Sequence, residues 1–209
     1  MKVSDFDYDL PHELITQYPQ RKRDESRLMV VDRVSESVRH CRFRDLRFLL
    51  SQEDLLVLNN TKVFPARLYA KRENGSGEFE VLLLHQSKGN VWNVLIHPGR
   101  KARPGDRLIF AEGNFEAQVL DTPSSAIRQI RFKYVGDFWA WVKDLGSIPL
   151  PPYIKRHPIE DDEERYQTVF AAINGSVAAP TAGLHFSRDL LQKVSHCEIT
   201  LHVGYGTFK

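Results

Sequence analysis

The sequence has little cysteine. Two cysteines, Cys41 and Cys197, occur among 209 residues, and neither has the spacing of a CxxC pair or of a set of metal ligands. This pattern excludes a disulfide-stapled scaffold and a cysteine-based zinc site. Two reduced thiols are typical of a protein in a reducing compartment, so we expect a cytoplasmic location.

The common catalytic motifs are also missing. The sequence contains no P-loop, dinucleotide fingerprint, HExxH helix or nucleophile elbow. Its histidines are scattered rather than set at ligand spacing, so we predict no metal site. The chemistry expected of this chain is therefore organic chemistry that depends on positioning and on acid–base groups.

Long apolar runs are absent too. No stretch approaches the length needed to span a bilayer, and acidic residues begin at Asp5, which argues against a signal peptide. With 42% hydrophobic and 27% charged residues, the composition is that of an ordinary globular protein. We predict no membrane association, and we expect a monomer.

Positive charge is concentrated in one stretch. The net charge is only +2, but residues 21–47 carry nine Lys and Arg against five Asp and Glu. A local excess of this kind can hold phosphates while the whole chain stays near neutral. A solvated basic surface explains the same pattern equally well.

The hydrophobic periodicity changes twice along the chain. Residues 66–135 contain short alternating runs separated by Gly, Pro and Asn, which is typical of a small barrel or sandwich. Six strands are predicted there: Arg67–Lys71, Glu78–His85, Val91–His97, Arg107–Glu112, Asn114–Leu120 and Ile127–Tyr134. Outside this block, helical spacing and single strands alternate. The pattern predicts an α/β domain, residues 1–65 and 136–209, that carries an inserted antiparallel β-barrel domain, residues 66–135.

The elements outside the barrel are predicted from capping residues and apolar faces. Helices are expected over Phe43–Leu50, Phe138–Leu145 with Gly146 at its end, Asp161–Phe170, and Ser187–Val194 with Ser187 as N-cap. Strands are expected over Arg27–Val31, Leu55–Leu58 and Glu198–Val203.

Two segments near the C-terminus combine a histidine with glycines. His185 follows Gly183 in residues 178–186, and His202 precedes Gly204 and Gly206 in residues 200–208. Glycine lets a ligand approach the backbone closely, and histidine acts as an acid or base near neutral pH. A core histidine and a simple turn are the structural alternatives. We expect both histidines to face one pocket whose wall is formed by the glycine backbones.

Polar residues at the end of the Leu55–Leu58 run are further candidates. Asn59, Asn60 and Thr61 offer amides and a hydroxyl to a ligand, although a hydrogen-bonded turn is an equally good interpretation. Arg67 could hold a carboxylate or phosphate through two parallel hydrogen bonds. Its alternative is an exposed residue of the barrel.

With these residues assembled, the sequence resembles the S-adenosylmethionine:tRNA ribosyltransferase-isomerase family of the queuosine pathway. The resemblance is collinear over the whole chain. The motifs that carry it are Arg23-Asp24-Glu25-Ser26-Arg27-Leu28, Leu58-Asn59-Asn60-Thr61-Lys62-Val63, Pro65-Ala66-Arg67-Leu68, Pro149-Leu150-Pro151-Pro152-Tyr153-Ile154, Arg165-Tyr166-Gln167-Thr168-Val169, Gly175 to Phe186, and Thr200 to Phe208.

The resemblance implies a reaction in which S-adenosylmethionine is consumed as a substrate rather than used as a cofactor. Its ribosyl part is attached to the aminomethyl group of a deazaguanine at the tRNA wobble position. Adenine and methionine leave, and the product is epoxyqueuosine. A base would remove a proton beside the sulfonium.

The resemblance also implies roles for individual residues. His185 and His202 are the candidate catalytic residues. Arg23 and Arg27 are expected to contact tRNA phosphates, with the alternative that they hold the α/β domain together. The residues expected to bind substrate are Asn59, Asn60, Thr61, Arg67, Thr181, Gly183, Gly204, Gly206 and Thr207.

The sequence departs from the family pattern at its end. Family members continue well past the position of Lys209, so we expect the C-terminal part of the α/β domain to be missing from this sequence. The alternative function is therefore a truncated, non-catalytic RNA-binding module that keeps the barrel and the basic stretch. A methyltransferase is disfavoured, because no strand–GxGxG–helix unit opens the chain.

Overall fold

Strands dominate the structure, a computed structural model that describes residues 1–75, 77–121 and 126–208. Within those residues the strands are β1 (Arg27–Asp32), β2 (Ser37–Arg42), β3 (Leu56–Asn59), β4 (Thr61–Val63), β5 (Arg67–Arg72), β6 (Glu78–Lys88), β7 (Val91–His97), β8 (Arg107–Ala111), β9 (Phe115–Asp121), β10 (Ile127–Tyr134), β11 (Ile173–Ser176) and β12 (His196–Ile199). The α-helices there are α1 (Phe138–Leu145), α2 (Glu160–Arg165) and α3 (Arg188–Leu191). Short 3₁₀ turns cover Val3–Phe6, His12–Leu14, Arg23–Glu25, Phe43–Phe48, Gly99–Lys101, Thr181–His185 and Tyr205–Phe208.

Strands β5 to β10 close into an antiparallel barrel in the order β10-β7-β6-β5-β8-β9. Side chains alternate between the two faces of a strand, so the alternating sequence of this block places its apolar residues inside. Phe79, Phe115 and Phe132 are almost fully buried at the centre. Helix α1 packs against this core, with Phe138 stacked on Trp92 at a ring-centroid distance of 5.1 Å.

The segments on either side of the barrel pair with each other. Strand β4 runs parallel to β11, and β3 runs parallel to β12. Because strands from before and after the barrel form these two sheets, the barrel is an insertion into an α/β framework, and the predicted fold class is confirmed. The boundaries at 65/66 and 135/136 stay a prediction.

Helix α1 ends at Leu145, as the sequence predicts, but for a different reason than expected. Gly146 does not adopt a left-handed conformation, since its φ is −85°. A Cβ at this position would overlap the backbone carbonyl oxygens of Pro65 and Val142. Glycine is needed here because the backbone at the end of α1 lies directly against the backbone of Pro65, just before β5.

Several elements outside the barrel differ from the prediction. Strand β12 covers His196–Ile199 rather than Glu198–Val203, because groups after Ile199 bond to the side chains of Asn59, Asn60, Thr61 and Ser176 instead of continuing a ladder. Helix α2 ends at Arg165 rather than Phe170, and Phe43–Phe48 is a 3₁₀ turn. Strands β2, β4 and β11 were not predicted. β11 reads Ile-Asn-Gly-Ser, which lacks apolar alternation, so its pairing with β4 makes it a strand.

Two smaller apolar clusters support the framework. One contains Phe43, Leu58, Phe170, Phe186 and Leu190. The other contains Val63, Ile148, Leu150, Tyr166 and Ala179. The junction of β3 and β4 lies between them, since Leu58 belongs to the first cluster and Val63 to the second. The polar residues of this junction are therefore held from both sides.

Candidate active site

The amide side chains at the junction of β3 and β4 hold the segment that follows β12. Asn59 donates from Nδ2 to the Leu201 carbonyl at 2.8 Å, and its Oδ1 accepts from the Leu201 amide at 3.0 Å. Asn60 donates to the Glu198 carboxylate at 3.0 Å and accepts from the Thr200 hydroxyl at 2.7 Å. Both amides are engaged by a distant segment of the protein itself, and their predicted role in substrate binding stays a prediction.

A chain of polar groups runs from the buried sheet to an exposed imidazole. The Thr61 hydroxyl lies 2.8 Å from Ser176 Oγ and 2.8 Å from His202 Nδ1. Ser176 Oγ also accepts from the Val203 amide at 2.6 Å. Thr61 and Ser176 are fully buried, whereas His202 is exposed. The two hydroxyls therefore fix one edge of a ring whose other side faces solvent.

Gly175 provides the surface on which this ring rests. Its φ is +151°, in a region that L side chains rarely adopt. A Cβ there would lie 2.5 Å from His202 Cε1 and 2.6 Å from His202 Nε2. Neither the backbone angle nor the space admits a side chain, so glycine at position 175 permits the observed position of His202.

His185 has a different environment. It ends the 3₁₀ turn Thr181–His185, and its ring lies 5.3 Å from the Phe43 ring between centroids. Burial lowers the pKa of His185, and the positive charge of Arg23 lowers it further. The imidazole is therefore neutral at neutral pH. His185 and His202 contact different residues, and the expectation that they share one pocket stays a prediction.

The two predicted glycine segments differ in exposure. A Cβ at Gly183 would lie 2.8 Å from Phe170 Cζ and 2.9 Å from Thr168 Cγ2, so this glycine allows the turn to pack on the framework. Thr181, at the start of the same turn, is exposed. The Gly183 backbone is therefore part of the packed structure rather than an open wall.

The segment after His202 is more open. A Cβ at Gly204 or Gly206 would meet no heavy atom within 4 Å among the described residues. Thr207 lies in the 3₁₀ turn Tyr205–Phe208, and its side chain is outside what the structure describes. The backbone around Gly204 is thus accessible from solvent beside the His202 imidazole.

Arg67 lies at a cavity on the barrel. Its Nε is 3.1 Å from Glu80 Oε1, and its guanidinium donates to the Leu150 carbonyl at 3.4 Å. The cavity has a volume of about 530 Å³, and its polar lining includes Arg67, Glu80, His97, Arg100 and Arg128. Arg67 is therefore not a simple exposed barrel residue, and its predicted role in substrate binding stays a prediction.

The two arginines predicted to bind RNA differ sharply. Arg23 donates to three backbone carbonyls, those of Glu164 at 2.8 Å, Leu184 at 3.1 Å and Arg165 at 3.3 Å. These bonds tie α2 to the turn that carries His185, which matches the alternative of a structural role. Arg27 is exposed at the start of β1. Of the two, Arg27 has the side chain that can reach a phosphate without breaking the fold.

Sequence reasoning missed three residues that shape this region. Gly175 and Ser176 were part of a recognised motif, but neither was singled out for a role. Gln167 was also missed, although it donates to the Val63 carbonyl at 2.6 Å and accepts from the Val63 amide at 3.0 Å. A signal was available for the first two, since Asn-Gly-Ser in a strand breaks the apolar pattern and marks a close backbone approach.

Comparison with known families decides the relationship. The family model of the queuosine biosynthesis protein matches residues 3–209. The chain belongs to this family. A curated queuosine-family relative from Acetivibrio thermocellus, S-adenosylmethionine:tRNA ribosyltransferase-isomerase, is 48% identical over 214 aligned residues. The alignment covers 100% of this chain and 62% of that relative, so the chain spans less than two thirds of the relative's length.

A solved structure also matches this queuosine-family chain. It is S-adenosylmethionine tRNA ribosyltransferase from Thermotoga maritima, with 32% sequence identity and a TM-score of 0.37. The match covers 95% of this chain and 58% of that structure.

In the part of the chain that the structure describes, no group of three or more His, Cys, Asp or Glu side chains is placed to hold a metal ion. Among the same residues, no helix has both the length and the apolar character needed to cross a membrane.

Proposed function

We propose that this queuosine-family protein transfers and isomerises the ribosyl part of S-adenosylmethionine onto the aminomethyl-deazaguanine at the wobble position of tRNA. The product is epoxyqueuosine, and adenine and methionine are released. The observation that carries the proposal is the 48% identity, over the whole chain, to a relative that bears the name of this activity.

The proposed chemistry needs a base beside the sulfonium carbon, and His202 is the better placed of the two candidates. Its imidazole is exposed and rests on buried hydroxyls, with open glycine backbone two residues further along. His185 packs against Phe43 and is half-buried. A base must come within hydrogen-bond reach of the proton that it removes, and the exposed ring of His202 offers a substrate more access than the packed ring of His185.

The charge of the substrate favours a neutral imidazole as well. A sulfonium cation near His202 repels the imidazolium form and stabilises the neutral form. The neutral ring takes a proton from the carbon next to sulfur. A new N–H bond forms, the C–H bond breaks, and the electron pair stays on carbon beside the positive sulfur.

The partners follow from this reaction. The protein is proposed to bind tRNA and S-adenosylmethionine, the latter as a substrate. Arg27 and its basic neighbours in residues 21–47 are proposed to hold phosphates. A monomeric state, a cytoplasmic location and the absence of a resident cofactor stay predictions.

The proposal is tested with purified protein, S-adenosylmethionine and a tRNA that carries aminomethyl-deazaguanine at the wobble position. Adenine release is followed by chromatography, and the modified nucleoside is identified by mass. The expected result is stoichiometric adenine and epoxyqueuosine. The control is the same tRNA with guanine at that position, which should give neither product.

The alternative function has its own outcome in this test. Salt-sensitive tRNA binding without adenine release would show a non-catalytic RNA-binding module. Absence of both would overturn both functions. If adenine is released, the variants His202→Ala and His185→Ala identify the base, because losing it lowers turnover by about two to four orders of magnitude.

A further inference from the structure

The hydrogen bonds around Ser176 have a defined direction. A backbone amide can only donate, so the Val203 amide, 2.6 Å away, makes Ser176 Oγ an acceptor. The Thr61 hydroxyl also donates to Ser176 Oγ, at 2.8 Å. Ser176 therefore accepts two hydrogen bonds.

The direction of the hydrogen bonds at Ser176 determines which atom donates in the contact between Thr61 and His202. A hydroxyl carries one hydrogen, and that of Thr61 is directed at Ser176. The contact of 2.8 Å between Thr61 Oγ1 and His202 Nδ1 must then be donated by the imidazole. A neutral imidazole with hydrogen on Nδ1 has its lone pair on Nε2.

We propose that Thr61 and Ser176 are positioning residues that hold His202 as the Nδ1–H tautomer, so that Nε2 is the atom that accepts the substrate proton. The second half of this statement rests on the proposed function. The first half concerns the protein alone.

Burial makes this arrangement specific. Thr61 and Ser176 are both 0% exposed, and parallel pairing of β4 with β11 fixes their positions. A buried hydroxyl without a partner is costly, so water cannot replace the bonds between them. After His202 takes up a proton, Nδ1–H still donates to Thr61, and no rearrangement of the hydroxyls is needed.

The surroundings of the ring leave Nε2 available. Within the described residues, no hydrogen bond to Nε2 is formed while Nδ1 contacts Thr61, and the His202 side chain is exposed. In this tautomer, the nitrogen that carries the lone pair is therefore the one that is available to a substrate.

The tautomer is measured directly by ¹⁵N NMR of the imidazole rings in the 209-residue chain, at a pH where the histidines are neutral. The expected spectrum shows His202 with a protonated Nδ1 and an unprotonated Nε2. A His202 spectrum with hydrogen on Nε2 would overturn the proposal. This measurement does not depend on activity, so it can fail while the proposed function stands, and the reverse also holds.

Two variants at position 61 test the cause. Thr61→Val keeps the shape but removes the hydroxyl, and His202 should then show a mixture of both tautomers. Thr61→Ser keeps the hydroxyl and should retain the Nδ1–H form. An unchanged tautomer in Thr61→Val, with folding verified by circular dichroism, would show that the threonine does not set it. If Thr61→Val does not fold, the wild-type and Thr61→Ser spectra still decide.

The catalytic half is tested by adenine release. Thr61→Val should lower kcat several-fold, roughly by the factor by which the Nδ1–H population falls, with little change in the KM for S-adenosylmethionine, and Thr61→Ser should recover most of the rate. Equal rates in Thr61→Val and the wild type would show that Nε2 of a fixed tautomer is not the proton acceptor.

Discussion

The imidazole of His202 packs so closely against Gly175 that a methyl group at position 175 would lie 2.5 Å from Cε1. Gly175 and Ser176 thus both position the His202 ring. Gly175 packs against the ring, and Ser176 holds the Thr61 hydroxyl that contacts Nδ1. Replacing Gly175 by alanine should therefore displace His202 without removing any functional group.

We expect Gly175→Ala to lower adenine release by at least about ten-fold, because the ring must leave its bonded position beside Thr61. The control is Gly105→Ala, which also has a positive φ, +92°, but meets no heavy atom within 4 Å among the described residues. It should lose some stability and keep its activity. Similar activities in both variants would show that the position of His202 does not matter.

Gly146→Ala should be strongly destabilising. The added methyl group overlaps backbone oxygens of Pro65 and Val142, and neither can move as a flexible side chain does. We expect a loss of about 3 kcal/mol or more in urea unfolding. The control is Gly99→Ala, whose methyl group would lie 3.9 Å from Arg128. A loss within about 0.5 kcal/mol is expected there. Equal stabilities would contradict the close approach at Gly146.

The pair of Arg156 and Asp162 should contribute more than surface pairs do. Arg156 donates to both carboxylate oxygens of Asp162, at 2.6 and 2.8 Å, and Asp162 is 4% exposed. We expect Asp162→Ala to cost about 3–5 kcal/mol. Glu73→Gln, which removes the charge of the exposed pair with Arg107, should cost much less, because solvent screens an exposed pair. Comparable losses would show that burial does not set the difference.

The same pair should appear in acid unfolding. Hydrogen bonding from Arg156 lowers the pKa of Asp162, so the folded chain keeps this carboxylate ionised at a lower pH than the unfolded chain does. Its contribution is present above the ordinary aspartate range and is lost as pH falls through the lowered pKa. The stability difference between wild type and Asp162→Ala should therefore shrink on acidification.

The stability of the fold should also depend on pH through His185, because folding disfavours the charged form of this side chain. Burial and then Arg23 lower its pKa, so the unfolded chain binds a proton at a higher pH than the folded chain does. Stability should fall as pH drops below the ordinary histidine range, and the loss is complete below the lowered pKa. Urea unfolding of His185→Gln should show a smaller loss between neutral and acidic pH. An equal loss in both proteins would contradict the lowered pKa.

Substitutions of Arg23 and Arg27 should have different effects, on folding stability in the first case and on tRNA binding in the second. Arg23→Gln loses three bonds to backbone carbonyls, and charged donors of this kind contribute about 1.5–3 kcal/mol each, so it should destabilise the fold. Arg27→Gln should leave stability unchanged but weaken tRNA binding and reduce the salt slope by about 1. An unchanged tRNA affinity and slope in Arg27→Gln would remove Arg27 from the RNA contacts.

The barrel was predictable from sequence, because its alternation encodes which face of each strand is buried. Leu68, Ala70 and Phe79 are apolar at inward positions, and turn residues separate the runs. Ser187 was likewise predicted as an N-cap, and it accepts from the Leu190 amide at 3.2 Å. These features depend on near neighbours in the chain.

The candidate site could not be derived in the same way. Thr61 and His202 are 141 positions apart, and no local pattern tells that their side chains meet. Strand β11 has no strand-like composition and exists through its pairing with β4. The sequence indicated which residues carry chemistry, whereas their partners depend on contacts between distant segments.

The hydrogen bonds that join the two ends of the barrel segment should affect how the rest of the chain folds. Arg67 and Ser147 exchange two backbone hydrogen bonds, at 2.9 and 3.1 Å, where β5 begins and just after α1 ends. The barrel forms from strand pairs that are mostly close in sequence. Once it has formed, the effective loop between β4 and β11 is short, so pairing these two strands costs less loop-closure entropy. Folding of the barrel therefore brings the framework segments before and after it close together.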